Sequence, residues 1–487
     1  MLKAHTADLL SGNGSRFYKR FPVRVGIVAD PFVLRNYEPT CSMVPMTPDN
    51  WKDMLNQIDC LLVTSVWQGQ KGEWIGASHF HSPRRHELLA MMRQAHALNC
   101  PVLFYSKEDP PNYDFFLEYA KEADYIFTSA CECVPNYQAA CPAATVDVLT
   151  FATNPLLHNP VGSDCKKMEN TVFFAGSWMV KYPERMQKMD MLFRLFLNAG
   201  LKLHIADRNF SRNSFRYRYP FRYLHHVLGD YSYEQIAQMY KVYPWCMNIN
   251  SVTNSDTMFA MRVYDALACG AQVLSNRSQG IRHLFPEVHI VDNADDLEAV
   301  LRLPQALLKE NKASGIRNVL RQGTVFEKMG LMLRQAGLVS SPDHNRTVAV
   351  ILPDGLTEGQ TAQLQTMFDV QTYPHRQLIR SGSTALPDCD MLCLWGPNRE
   401  YGKHYLEDMV NGFKYTNCDY ITKRYSPEGN SPEHVYTDCI TDLYATVFWS
   451  SAITYGQLTA LPDGEIKFSN GYLSDCGNYT VYAANGE

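Results

Sequence analysis

The chain has no uninterrupted apolar run near the roughly 18 residues that a membrane-spanning helix needs, and its opening, MLKAHTADLLSGNG, has no signal-peptide core. A cytoplasmic protein is expected. No C-x-x-C pair occurs among its 14 cysteines, which speaks against a zinc knuckle. The one close pair, Cys131 and Cys133, has a spacing suited to a strand. A disulfide framework is not expected in a chain of this size, so the thiols read as reduced and mostly buried. Excess charge is missing too: 45 basic and 50 acidic side chains leave a net of -5. That removes any bulk affinity for nucleic acid, and a polyanion site has to be local. Internal repeats and low-complexity tracts are absent. The 46% hydrophobic and 20% charged residues are those of a globular protein. At roughly 150 residues per domain, 487 residues predict about three domains.

Short apolar runs alternate with helix-period stretches from VRVGIVAD (23–30) through IDCLLVTSVW (58–67), PVLFYSKEDPPNY (101–113) and TVDVLTF (145–151). That order is the signature of a parallel sheet with helices on both faces. Residues 154–170 collect proline, glycine and charge and read as a linker. A second series runs from NTVFFAGSW (170–178) through LKLHIAD (201–207) and PWCMNIN (244–250) to HIVDNADDLEAVLR (289–302). Two α/β halves then a third, mixed unit give predicted boundaries at 1–155, 156–340 and 347–487, with a second linker at 340–346. In the third unit Asp463-Gly464 and Asn470-Gly471 read as hairpin turns. Ligands of open α/β sheets sit at the carboxyl ends of the strands, so the crevice between the two halves is the expected site.

The block PWCMNINSVTNSDTMFAMRVYDALACGAQVLSNRSQG (244–280) carries the chemistry. A strand ending in amides leads through a polar loop to a helix whose first turns hold Arg262 and Asp265. A helix N-terminus with a bidentate guanidinium suits a diphosphate, and Asp265 suits ribose hydroxyls. Together with FFAGSWMVKYPER, SQGIRHLFP and the upstream YSKEDPPNYDFFLEYAKEADYIFTS, this block resembles the glycosyltransferase domain of the spore-maturation, CgeB-like family, over roughly residues 22–335. The resemblance implies a GT-B fold of two facing Rossmann-like lobes. It also implies a nucleotide-sugar donor, with uridine the expected base. Carried over by position, it puts the donor against Gly176, Ser177, Trp178, Arg185, Asn248, Asn250, Thr257, Met258, Arg262 and Asp265. The family has glutamate where this chain has Asp265, and the wider GT-B group often has another eight residues earlier, where this chain has Thr257. The E-x7-E pair is absent.

Inverting sugar transfer needs a base for the acceptor hydroxyl. Asp109, in KEDPP (107–111) after the strand VLFY, is the first candidate, Asp30 the second, with His79 and His81 behind; no partner set near the histidines suggests a metal. Residues 208–222, RNFSRNSFRYRYPFR, hold five arginines, no acid and interleaved aromatics. They suit polymer phosphates, a lipid-linked diphosphate or an anionic membrane face at the inner side of the cell, and RNA less well. The third unit, from TVAVILPDG to GKHYLEDMVNGFKYTNCDYITK, resembles a family-2 GT-A glycosyltransferase. It lacks the D-x-D carboxylates, since Asp388 and Asp390 precede the strand, which implies an inert remnant. Its Trp395, Tyr401, Tyr405 and Lys423 are candidate glycan contacts. The sequence thus predicts a metal-independent glycosyltransferase without a cofactor, acting on a glycan or cell-surface glycopolymer precursor. Two rivals stay open: an epimerase or hydrolase on the same fold, and a non-catalytic glycan-binding scaffold.

Overall fold

A computed structural model describes residues 9–164, 168–212, 214–340, 344–380, 388–425, 432–462 and 464–482. The first lobe is built on β1 (Arg24–Val28), β2 (Ser42–Pro45), β3 (Cys60–Thr64), β4 (Val102–Ser106), β5 (Tyr125–Thr128) and β6 (Thr145–Val148), in the order β2-β1-β3-β4-β5-β6. Every pair is parallel. The second lobe holds β7 (Thr171–Ala175), β8 (Lys202–Ala206), β9 (Val227–Gly229), β10 (Trp245–Asn248), β11 (Gln272–Ser275) and β12 (His289–Ile290). Their order is β12-β11-β10-β7-β8-β9, again all parallel. β3, β4 and β10 are buried at every residue, which explains their continuous apolar composition. Two facing Rossmann-like lobes with an appended mixed unit are the α/β GT-B class expected from the sequence.

The third unit has a seven-stranded mixed sheet. It contains β13 (Val348–Ile351), β14 (Arg376–Ile379), β15 (Met391–Leu394), β17 (Tyr420–Thr422), β18 (Val435–Ile440), β19 (Thr446–Trp449) and β20 (Ile466–Leu473), in the order β14-β13-β15-β19-β17-β20-β18. β16 (Arg399–Tyr401) and β21 (Tyr479–Val481) form a separate pair. This unit does not hang on a tether. One apolar core runs from Val25 and Ile27 of the first sheet through Phe326, Met329 and Met332 of the helix Val325–Gln335 to Tyr405, Met409 and Phe413. Tyr18 stacks on Phe326 at 4.2 Å. The helix Gln305–Gln322 is clamped to the helix Tyr405–Tyr415 by two forked ion pairs, Arg317 to Asp408 (2.6 and 3.0 Å) and Arg321 to Glu407 (2.6 and 2.6 Å).

Several local expectations fail for physical reasons. Residues 154–164 are not an exposed linker: Asn154, His158, Asn159 and Ser163 are buried, and Thr153 bridges Thr324. Of the expected linkers, residues 165–167 and 341–343 lie outside the described residues, as does Asp463. Asn470-Gly471 is no hairpin turn but lies inside β20, where Asn470 has φ 62° and a Cβ on Gly471 would fall 2.0 Å from the Tyr420 ring. Cys131 and Cys133 sit in a 3-10 turn rather than a strand. Trp395, Tyr401, Tyr405 and Lys423 are at most 1% exposed. Trp395 stacks on Tyr401 at 4.1 Å, and Lys423 donates to Asp475 at 3.0 Å. They are core, not glycan contacts.

Candidate functional site

In the second lobe the strand order reverses between β7 and β10, and at such a point the carboxyl ends of the strands are where open α/β sheets place a ligand crevice. β7 runs into Gly176, Ser177 and Trp178, and β10 into Ile249 and Asn250. Arg262 opens the helix Arg262–Ala268, whose seven residues give it a short dipole, so the side chain rather than the helix end carries the charge. The Arg262 guanidinium lies 5.2 Å over the Phe174 ring and donates through Nη1 to Asn248 Oδ1 at 3.1 Å, while its enclosed Nε has no partner. Arg185, 9% exposed, donates to the Ser177 carbonyl at 3.1 Å. Among the described residues neither guanidinium forms a salt bridge. Burial and then the charge of Arg262 push Arg185 down to about 10; burial, with a contribution from Arg208, lowers Arg262. Positive charge concentrated in a buried place is costly unless an anion offsets it, and here Asp265 acts on Arg262 without forming a salt bridge with it. Arg208, exposed at the end of β8, joins this group; in the sequence it is indistinguishable from the four other arginines of its segment.

The other second-lobe residues singled out in the sequence hold this arrangement in place. Ser177 donates to Asp207 at 2.7 Å and accepts from Asn209 at 2.8 Å. Tyr219 donates to the Gly176 carbonyl at 2.8 Å. A Cβ on Gly176 would lie 2.5 Å from the Phe174 ring that supports Arg262. Asn248 donates to Asn250 (3.0 Å) and Ser275 (2.9 Å), which aims its carbonyl oxygen at Arg262. Trp178 is turned into the lobe, 5.7 Å from Tyr219 and 6.1 Å from Tyr223. Thr257 and Met258 face the other lobe. Thr257 Oγ1 accepts from the Cys131 amide and donates to the Ser129 carbonyl, both at 2.9 Å, and Met258 packs on the first-lobe core. Ser255 donates to Glu132 at 2.9 Å. The lobes are closed on each other.

Asp265 is withdrawn from the crevice. Only 2% exposed, it accepts from Thr153 (2.8 Å) and Tyr233 (3.1 Å), with His158 Nδ1 3.4 Å away. Burial pushes it up to about 7 and His158 down to about 3. This cluster ties residues 153–158 to the second lobe.

The first-lobe candidates are similarly occupied. Asp30 accepts from the amides of Trp67, Gln68 and Gly69 (3.0–3.3 Å) and pairs with Lys107 at 3.2 Å, which shapes the loop after β3. Asp109 is fully enclosed; Thr128 donates to it at 2.6 Å and Tyr137 at 3.0 Å, and burial raises its carboxyl. His79 and His81 are exposed on the loop after β3. Glu132 is a carboxylate that spans the gap, to Ser255. Sequence reasoning missed it, although its position just after β5 was a usable signal. Among the described residues no three His, Cys, Asp or Glu side chains gather as a metal group, and no helix is long and apolar enough to cross a membrane.

Residues 191–329, which include the helix of Arg262 and the loops around it, match the family described as glycosyl transferase-like. No curated relative matches. Similar solved structures include an α-glucosyltransferase with UDP and a mismatched 13-mer DNA (12% identity, 66% of this chain, 100% of that one, TM-score 0.45). Others are Anabaena Alr3699/HepE with UDP and glucose (11%, 65% and 92%, 0.41) and AviGT4, a glycosyltransferase of avilamycin A biosynthesis (14%, 64% and 97%, 0.40).

Proposed function

We propose that the chain moves a sugar from a nucleoside-diphosphate donor, UDP-linked on the family resemblance, to a glycan or cell-surface glycopolymer precursor, without a divalent ion. The observation that carries this reading is the pair Arg185 and Arg262 at the β7/β10 switch point, two guanidiniums held together without a carboxylate. A diphosphate supplies the missing charge through short, charge-assisted bonds. As the sugar leaves, negative charge grows on the departing phosphate oxygens, and cations already fixed by Ser177, Asn248 and Phe174 stabilise that state without reorganising. The interlobe bonds of Thr257 and Ser255 exclude water once donor and acceptor are enclosed. The domains fall at 1–155, 156–340 and 347–487, the last a GT-A-like remnant bracing the helix 305–322. Proton removal from the acceptor falls to a carboxylate with a face on the gap, for which Glu132 is better placed than Asp109, Asp30 or His79.

Incubation with a panel of nucleotide sugars and cell-envelope extract, read by mass spectrometry, tests this. The expected result is a sugar mass added to an acceptor, with UDP release that requires the extract, lost in Arg262→Ala and reduced in Glu132→Gln. Release at an equal rate without acceptor would overturn the transfer reading in favour of hydrolysis.

A further inference from the structure

All four phenylalanines among the exposed large hydrophobic side chains, Phe80, Phe210, Phe215 and Phe221, lie in loops at the carboxyl edges of the two facing sheets, together with Ile75 and Val180; Phe215 is 84% and Phe221 90% exposed. Three loops contribute, those after β3, β7 and β8, and they touch. The Val180 amide donates to the Arg216 carbonyl at 3.3 Å, and Arg212 donates to Gln68 at 2.9 Å. Lys181 lies 5.9 Å over both Trp67 and Phe115, and Phe80 stacks on Phe115 at 6.0 Å. Segments 67–84, 177–182 and 208–222 hold eight lysines and arginines against one acid, Glu73, in a chain that is acidic overall. That acid is taken up by the amides of Gln70 and Lys71, and Arg222 is held by Asp190.

We propose that this surface docks on an anionic lipid bilayer. Phenyl rings projecting into solvent among guanidiniums match the headgroup boundary, where the rings enter the acyl edge and the cations meet lipid phosphates. Guanidiniums alone would suffice for a soluble polyanion, which offers projecting phenyl rings no apolar phase to enter. Because the patch borders the crevice mouth, a docked molecule turns its cleft toward the membrane. The consequence that the acceptor is membrane-held rests on the transfer reading above; the docking itself does not.

Co-sedimentation with phosphatidylcholine vesicles, with and without about 30% phosphatidylglycerol, tests the surface. The expected result is binding to the anionic vesicles only, weakened by salt. Arg216→Ala/Arg218→Ala is expected to weaken it about thirtyfold, at roughly fivefold per basic side chain, and Phe215→Ser/Phe221→Ser by roughly tenfold or more. All four positions are exposed, and UDP titration of the same variants checks that the fold and crevice are intact, whereas Arg262→Ala is expected to lose UDP and keep vesicle binding. No binding of the unaltered chain to anionic vesicles would overturn the proposal. So would binding that survives the phenylalanine changes and is matched by soluble polyphosphate, which would mark a polyanion site instead.

Discussion

Asp265 and Arg262 stand three residues apart on one short helix and have opposite fates. The guanidinium stays at the crevice, while the carboxylate is drawn into a buried cluster with Thr153, Tyr233 and His158. Since Asp265 titrates near 7 in the folded chain and near 3.9 unfolded, its contribution to stability is whole below about pH 4 and is lost as pH rises through 7. His158, held neutral by burial, and Lys241, whose charge also disfavours the imidazolium, are shared by the unaltered chain and its Asp265→Asn variant. Urea unfolding of both is expected to show the unaltered chain losing ground to Asp265→Asn by on the order of 3 kcal/mol between pH 4.5 and 7.5, with UDP affinity little changed. An equal pH response in the two, or a large loss of UDP binding in the variant, would instead return Asp265 to the ribose.

At the level of loops and strands, the β7 exit depends on a missing side chain. Gly176→Ala forces the Phe174 ring to move, and Arg262 rests on that ring. The variant is expected to fold, with UDP affinity lowered by roughly tenfold, the worth of one charge-assisted bond put out of line, as titration can show. The central strands of both lobes were legible because they are buried on both faces and so read as unbroken apolar runs. The edge strands β2 and β9 were not: SMVP and VLG are short and partly exposed. Asn470-Gly471 misled because its left-handed residue serves a strand packed on Tyr420 rather than a turn. In the site, Arg262 was legible from its place after a strand and polar loop, whereas Arg185 came only through the resemblance. The enclosure of Asp109, Asp265 and Trp178 depends on partners 19 to 112 residues away, which local pattern cannot reveal.

Across the whole molecule, the first and third units share one core through the helices 305–322 and 325–335, and the boundary near 340 that composition suggests is not a boundary of packing. A chain ending at 340 would expose Phe17, Tyr18, Phe326 and Met332, now covered by the third unit. It is expected to bind a hydrophobic dye and aggregate; a monomer melting cooperatively at the temperature of the full chain would show that the third unit is dispensable. The closed lobes lead to the same central point, because the proposed diphosphate site on the second-lobe side is the pair Arg185 and Arg262. Calorimetric titration of the full chain with UDP, with and without EDTA, tests that most directly. Saturable binding unaffected by EDTA and lowered by roughly a hundredfold or more in Arg185→Ala/Arg262→Ala is the expected result. No heat at millimolar UDP, or binding indifferent to the loss of both arginines, would contradict it.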